Sequence, residues 1–153
     1  MKTGLTLNQK KEVDGVTYEV IGIDSYTLTN IYEQKREWLS YTLVDVANKE
    51  NRIWLGYGFA DNFLIKQWLI SEEEFKKNTQ KRPLNTDLTG IAHITFEGEQ
   101  GYSIPNSEII WYNSASDQYD FFVIERFLKE DGDKLNPLKS YYHGMKILKD
   151  LKV

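Results

Sequence analysis

Strand-length runs rich in β-branched and aromatic residues, each closed by a turn signal, recur from Val13 to Tyr142. That punctuation predicts a mainly β chain. The firmest local signal is Val13-Asp14-Gly15-Val16, an Asp-Gly pair between apolar residues, because both central positions of the tightest hairpin turn require positive φ. Val16, Tyr18 and Val20 then alternate with Thr17 and Glu19, a period of two that predicts a strand with one solvated face. Trp38 to Val46 reads as a second strand, with Asn48-Lys49-Glu50-Asn51 as its turn, and Ile53 to Phe59 and Phe63 to Ile70 read as a third and a fourth. Further on, Gly90 to Phe96, Ser107 to Tyr112 and Tyr119 to Phe127 read as strands, the last by its aromatic and β-branched content. Asn136 to Tyr142 reads as a short helix with Pro137 at its first position, and beyond Gly144 the pattern fits strand and helix equally. The predicted fold is therefore mainly β, an antiparallel two-sheet sandwich or a partly open barrel with one or two short helices.

A polar connector divides the chain. In Ser71-Glu72-Glu73-Glu74-Phe75-Lys76-Lys77, Ser71 is placed to cap a helix, Glu74 to close a capping box, and Glu72-Lys76 and Glu73-Lys77 to pair across one turn. With Phe75 as its one apolar residue, that helix contributes little core. Gln80 to Asp87, containing Pro83, reads as an exposed loop. No linker is long enough to separate independent units, and 153 residues match one domain. The expectation is a single domain over 1–153, with β-rich stretches at about 1–70 and 88–153.

The chain has no cysteine, which removes disulfides, thiolate nucleophiles and Cys-containing zinc sites and fits a reducing compartment. Its start carries no signal-peptide core, so the expected location is cytoplasmic. The most apolar region, Ile53 to Ile70, is broken by Asp61, Asn62, Lys66 and Gln67, whereas a membrane-spanning helix needs about 20 mostly apolar residues. No integral membrane segment is expected. A net charge of -4 and a pI near 5.3 argue against nucleic acid, whose binding relies on clustered Lys and Arg. The groups Lys76-Lys77 with Lys81-Arg82, and Lys146, Lys149 and Lys152, read as solvated faces.

Catalytic signals are sparse. Of the two histidines, His93 sits mid-strand on the face of Ile91 and Thr95 and reads as structural, while His143, beside Gly144, is better placed for exposure at a turn. Gly56-Tyr57-Gly58 lacks the third glycine and the following helix of a dinucleotide loop, and Glu130-Asp131-Gly132-Asp133 lacks the ligand spacing of a calcium loop. No cofactor or metal is expected. Glu97, Glu99, Glu108, Glu125 and Asp120 could pair only through the fold.

The candidate contact site lies between the third and fourth strands. Ala60-Asp61-Asn62 as a three-residue turn would set Tyr57 against Ile65, Leu55 against Gln67, Gly56 against Lys66 and Trp54 against Trp68. Gly56 and Gly58 would then form a shallow trough beside a Trp54-Trp68 pair, either covered by a neighbouring side chain or open to a ligand or a partner segment.

Four segments carry a family resemblance: Val13-Asp14-Gly15-Val16-Thr17-Tyr18-Glu19-Val20-Ile21-Gly22, Trp38-Leu39-Ser40-Tyr41-Thr42-Leu43, Trp54-Leu55, and Tyr142-His143-Gly144-Met145-Lys146-Ile147. Together they resemble the bacterial family called domain of unknown function 4178, over nearly the whole chain. That family's pattern has an acidic residue between the tryptophan and the tyrosine, where this chain has Ser40. The resemblance implies a soluble, cytosolic, β-rich bacterial protein and carries over no catalytic residue. Aromatic residues make up 14% of the chain, more than the sparse catalytic signals explain. The functional expectation is a non-enzymatic binding or assembly module, with a protein partner or self-association; the alternative is a small hydrolase or isomerase using carboxylates with His143.

Overall fold

The computed structural model describes residues 5–57, 64–80, 82–83, 85–98, 109–116, 120–127 and 138–147. Nine strands are formed: β1 (Lys10–Val13), β2 (Val16–Asn30), β3 (Lys35–Asp45), β4 (Arg52–Tyr57), β5 (Leu64–Ile70), β6 (Gly90–Gly98), β7 (Ile109–Ser116), β8 (Asp120–Phe127) and β9 (Leu138–Ile147). One helix, α1 (Glu72–Thr79), and a 3-10 turn at Thr86–Leu88 lie between β5 and β6.

β2 to β5 form one antiparallel meander and β6 to β9 another. β5 pairs with β9, and β2 pairs with β6, so both edges of each meander are satisfied by the other. The result is a closed eight-stranded barrel, with β1 added to the first residues of β2. This corrects the two-sheet sandwich and the partly open barrel. Closure leaves no free edge among these eight strands, and eight strands enclose a space that side chains nearly fill.

The expected hairpin is present, with Asp14 at φ 51° and Gly15 at φ 81° joining Val13 to Val16. β2 runs much further than its alternating start indicates. Val20 pairs with Leu43 but Gly22 pairs with Thr42, so Ile21 is an extra residue in the ladder. Such a bulge exchanges the faces of a strand. Before it, Tyr18 and Val20 pack outside the barrel with Tyr41, Leu43, Ile53 and Leu55, under Leu5 and Val13; after it, Tyr26 and Leu28 point inward. Most of β3 from Trp38 and most of β4 are thus buried on both faces, and Ile53-Trp54-Leu55 in β4 reads as a continuous apolar run.

α1 follows its capping signal: Ser71 Oγ accepts the Glu74 amide N–H at 3.1 Å, and Lys76 pairs with Glu72 at 2.9 Å. It buries none of its residues, and Phe75 meets Tyr141 on the outer wall, ring centres 5.1 Å apart. The described residues of the expected loop, Gln80 to Asp87, are exposed or half-buried, and just past it Leu88 is buried in the interior cluster with Leu28, Ala92 and Ile94. Asn30 Nδ2 donates to Asp87 O at 3.1 Å and Asn85 N–H to Ser114 O at 2.7 Å, fixing the 3-10 turn to the barrel wall. The helix expected over Asn136 to Tyr142 is corrected where it is described: from Leu138 the chain is strand, ten residues paired with both β5 and β8. Tertiary pairing along Ser140-Tyr141-Tyr142 outweighs the local proline cue there. Among the described residues no helix is long and apolar enough to cross a membrane.

Candidate functional site

Inside the barrel the side chains change character along the strands. β2 presents Asp24, Tyr26 and Leu28 inward in turn, and β8 presents Glu125, Val123 and Phe121. Asp24 is the cross-strand partner of Ser40 on one side and of Phe96 on the other. Tyr26 pairs with Trp38 and stacks on it, ring centres 4.9 Å apart, and Trp38 meets Tyr112 at 5.1 Å. Tyr112 is the cross-strand partner of Glu125, whose Oε2 accepts the Tyr26 hydroxyl proton at 2.9 Å. On the facing wall Trp54 pairs with Gln67 and packs edge-on against Tyr142, ring centres 5.3 Å apart. Tyr26, Trp38, Ser40, Trp54, Gln67, Tyr112, Glu125 and Tyr142 together line a cavity whose free space holds about one water-sized group.

This core is costly to build. Asp24 is fully buried, and neither carboxylate oxygen has a hydrogen-bond partner among the described residues. Burial first, and the nearby Glu125 carboxylate second, push the Asp24 carboxyl up to about 7. The same two causes push the Tyr112 hydroxyl well above its ordinary range, so it keeps its proton at any physiological pH. Thr42, across from Trp54, also buries a hydroxyl with no partner among the described residues. A purely structural barrel core would place apolar side chains at such positions, since an unpaired buried polar group costs about 1–3 kcal/mol.

The register expected between β4 and β5 is not the one formed. Trp54 pairs with Gln67, Leu55 with Lys66, Gly56 with Ile65 and Tyr57 with Leu64, one residue away from the expected register. A slip of one residue turns every side chain of β5 to the other face. Trp54 therefore lies inside the barrel, 2% exposed, while Trp68 lies on the outer wall. Gly56 faces the interior opposite buried Ile65, and Gly58 and the Ala60-Asp61-Asn62 turn lie outside the described residues. Of the four expected contact residues, Trp54 is the one that lines the cavity.

His143 also sits on the outer wall, in β9. Its Nε2 lies 2.8 Å from Asp120 Oδ1, and its ring is held between Phe122, stacked at 4.4 Å, and Trp68, at 4.7 Å. Arg82 covers Phe122 at 4.9 Å and reaches Asp120 at 4.0 Å. The two β8 carboxylates are thus separated by the strand's alternation: Asp120 joins His143 outside, and Glu125 joins Tyr26 inside. His93 points outward and is exposed, as are Thr95 and Ile91 on the same face. Glu97 is exposed, and Glu99 and Glu108 lie outside the described residues.

Sequence reasoning missed Asp24, Tyr26, Trp38 and Tyr112 as members of a site. The available signal was a single acid inside each of two strand runs, Ile23-Asp24-Ser25-Tyr26 and Phe121-Phe122-Val123-Ile124-Glu125. Among the described residues no three His, Asp or Glu side chains are grouped to hold a metal ion. Comparison with protein-family models, with curated proteins and with solved structures found no match.

Proposed function

We propose that this chain is a binding module whose ligand site is the interior of its barrel, around Ser40, Gln67 and Glu125 and next to Asp24, with Trp38 and Trp54 as walls. The observation that carries the reading is Asp24, which is outside the cavity lining but is the cross-strand partner of Ser40 in it, a fully buried carboxyl with neither oxygen hydrogen-bonded among the described residues. A group held at that cost in a closed barrel is better accounted for by what it meets than by what it stabilises. Eight-stranded barrels are wide enough to hold one small ligand, and rigid aromatic walls bind it with little loss of side-chain freedom. Belonging to the bacterial family named above is part of the same proposal and assigns no chemistry.

The test is a thermal-shift and tryptophan-fluorescence screen with small amines, amides, alcohols and carboxylates. One class is expected to give a saturable rise in Tm that Glu125→Gln weakens, because only a ligand that prefers the folded state can stabilise it. A flat response from every class overturns the reading.

The His143–Asp120 contact of 2.8 Å favours a second reading, a hydrolase with His143 as general base. Both faces of the imidazole are covered by rings, and no hydroxyl is hydrogen-bonded to it among the described residues. The pair is better suited to tying β9 to β8 than to activating a nucleophile. An assembly role has less support, since the exposed large apolar side chains Ile31 and Tyr32 lie in the β2–β3 turn, Val46 just after β3, and Leu69, Ile91 and Met145 on β5, β6 and β9.

A further inference from the structure

Resting on the reading of the barrel interior as a ligand site, the lining narrows the class of ligand. It holds five aromatic rings and the Glu125 carboxylate, with no Lys, Arg or His among its described residues. Ring faces carry negative partial charge and attract cations, most strongly where water is excluded. Asp24 adds a second carboxyl within electrostatic reach of Glu125. A positive charge held at Glu125 would also relieve the cost that this carboxylate adds at Asp24. An anion meets neither a cation nor a helix terminus in this lining.

Size discriminates further. The free space fits about one water-sized group, which an –NH3+ head matches and a quaternary ammonium exceeds. An ammonium group also brings several N–H donors, and the lining offers acceptors around it: Glu125, the Gln67 amide oxygen and the Ser40 hydroxyl. A bare metal ion would need several oxygen ligands in a shell, and no such group of acids is assembled among the described residues. We infer that the barrel interior binds a small primary-ammonium cation, held by the Glu125 carboxylate with the Asp24 carboxyl nearby and walled by Trp38 and Trp54.

The experiment titrates wild-type protein at pH 8 with ammonium, methylammonium, tetramethylammonium and potassium chlorides against sodium chloride at equal ionic strength, with methanol as a neutral probe of the size of methylammonium. Ammonium and methylammonium are expected to give a saturable rise in Tm and a change in tryptophan emission that the other probes do not. Glu125→Gln is expected to weaken methylammonium binding about tenfold or more, since it removes a charge-assisted hydrogen bond. Trp68→Phe, on the outer wall, is expected to leave binding unchanged. Binding of methanol without binding of either amine overturns the cation assignment while leaving the interior as a ligand site. An equal response to potassium or tetramethylammonium also overturns it, because charge or bulk alone would then suffice. No response to any probe means that the space holds a buried water only, and both readings fall.

Discussion

Asp24→Asn is expected to stabilise the protein by a few kcal/mol at pH 8 and to leave it nearly unchanged at pH 4. The Asp24 carboxyl titrates near 7 in the folded protein and near 3.8 when exposed, so between those values the folded state holds a proton that the unfolded chain has released. The stability that this proton represents is complete below pH 4 and is lost as the pH rises through 7. At about 1.4 kcal/mol per pH unit, the gap bounds the effect at about 4 kcal/mol, or a rise in Tm of about 10 °C for a chain of this length. The amide keeps the shape and stays neutral, so it escapes that loss. Urea denaturation of both proteins from pH 4 to pH 8 checks the expectation; parallel curves would show that Asp24 is not buried as an acid.

Gly90→Ala is expected to destabilise the barrel by about 3 kcal/mol or more, at the seam that closes it. A Cβ at Gly90 would lie 2.0 Å from the Thr29 carbonyl oxygen and 2.9 Å from the Asn30 Cα, both backbone atoms of the partner strand. They can give way only if β2 and β6 separate. At the other seam a Cβ on Gly144 would meet the Gln67 Cγ and the Ile65 Cγ2 at 2.9 Å, side-chain atoms with more room to shift, so Gly144→Ala is expected to cost about 1 kcal/mol. The two substitutions compared by denaturation, with amide exchange read in β2 and β6, check the closure. Equal effects would mean that the β2–β6 seam is not the tight one.

Local chemistry was the legible part of the fold. The Asp14-Gly15 turn, the Ser71 cap and most strand positions rest on a few neighbouring residues, and they form where the sequence places them. Closure rests on two pairings between distant segments, Gly22 to Asn30 with Gly90 to Gly98 and Leu64 to Ile70 with Tyr141 to Ile147. No local pattern carries them. The bulge at Ile21 is likewise silent in the sequence, because buried residues continue at every second position, Tyr18 and Val20 before it and Asp24 and Tyr26 after it, while the face they point to changes.

The candidate site fared worse for the same reason. Assigning Trp54 and Trp68 to one face depended on a turn length, and the observed pairing of Trp54 with Gln67 differs by a single residue. That one step sends one indole into the core and the other to the outer wall beside His143. Asp24 and Glu125 come from opposite meanders, and a carboxylate in a strand becomes a site only when the barrel brings its partners around it.

The central claim, that the interior of the barrel is the ligand site, is tested most directly by the indole N–H resonances of the 15N-labelled protein, assigned by replacing each of the four tryptophans with phenylalanine in turn. On titration with methylammonium, and separately with methanol, the Trp38 and Trp54 resonances are expected to move together with at least one of the probes while that of Trp68 stays fixed. Movement confined to Trp68, or none with either probe, would contradict the claim.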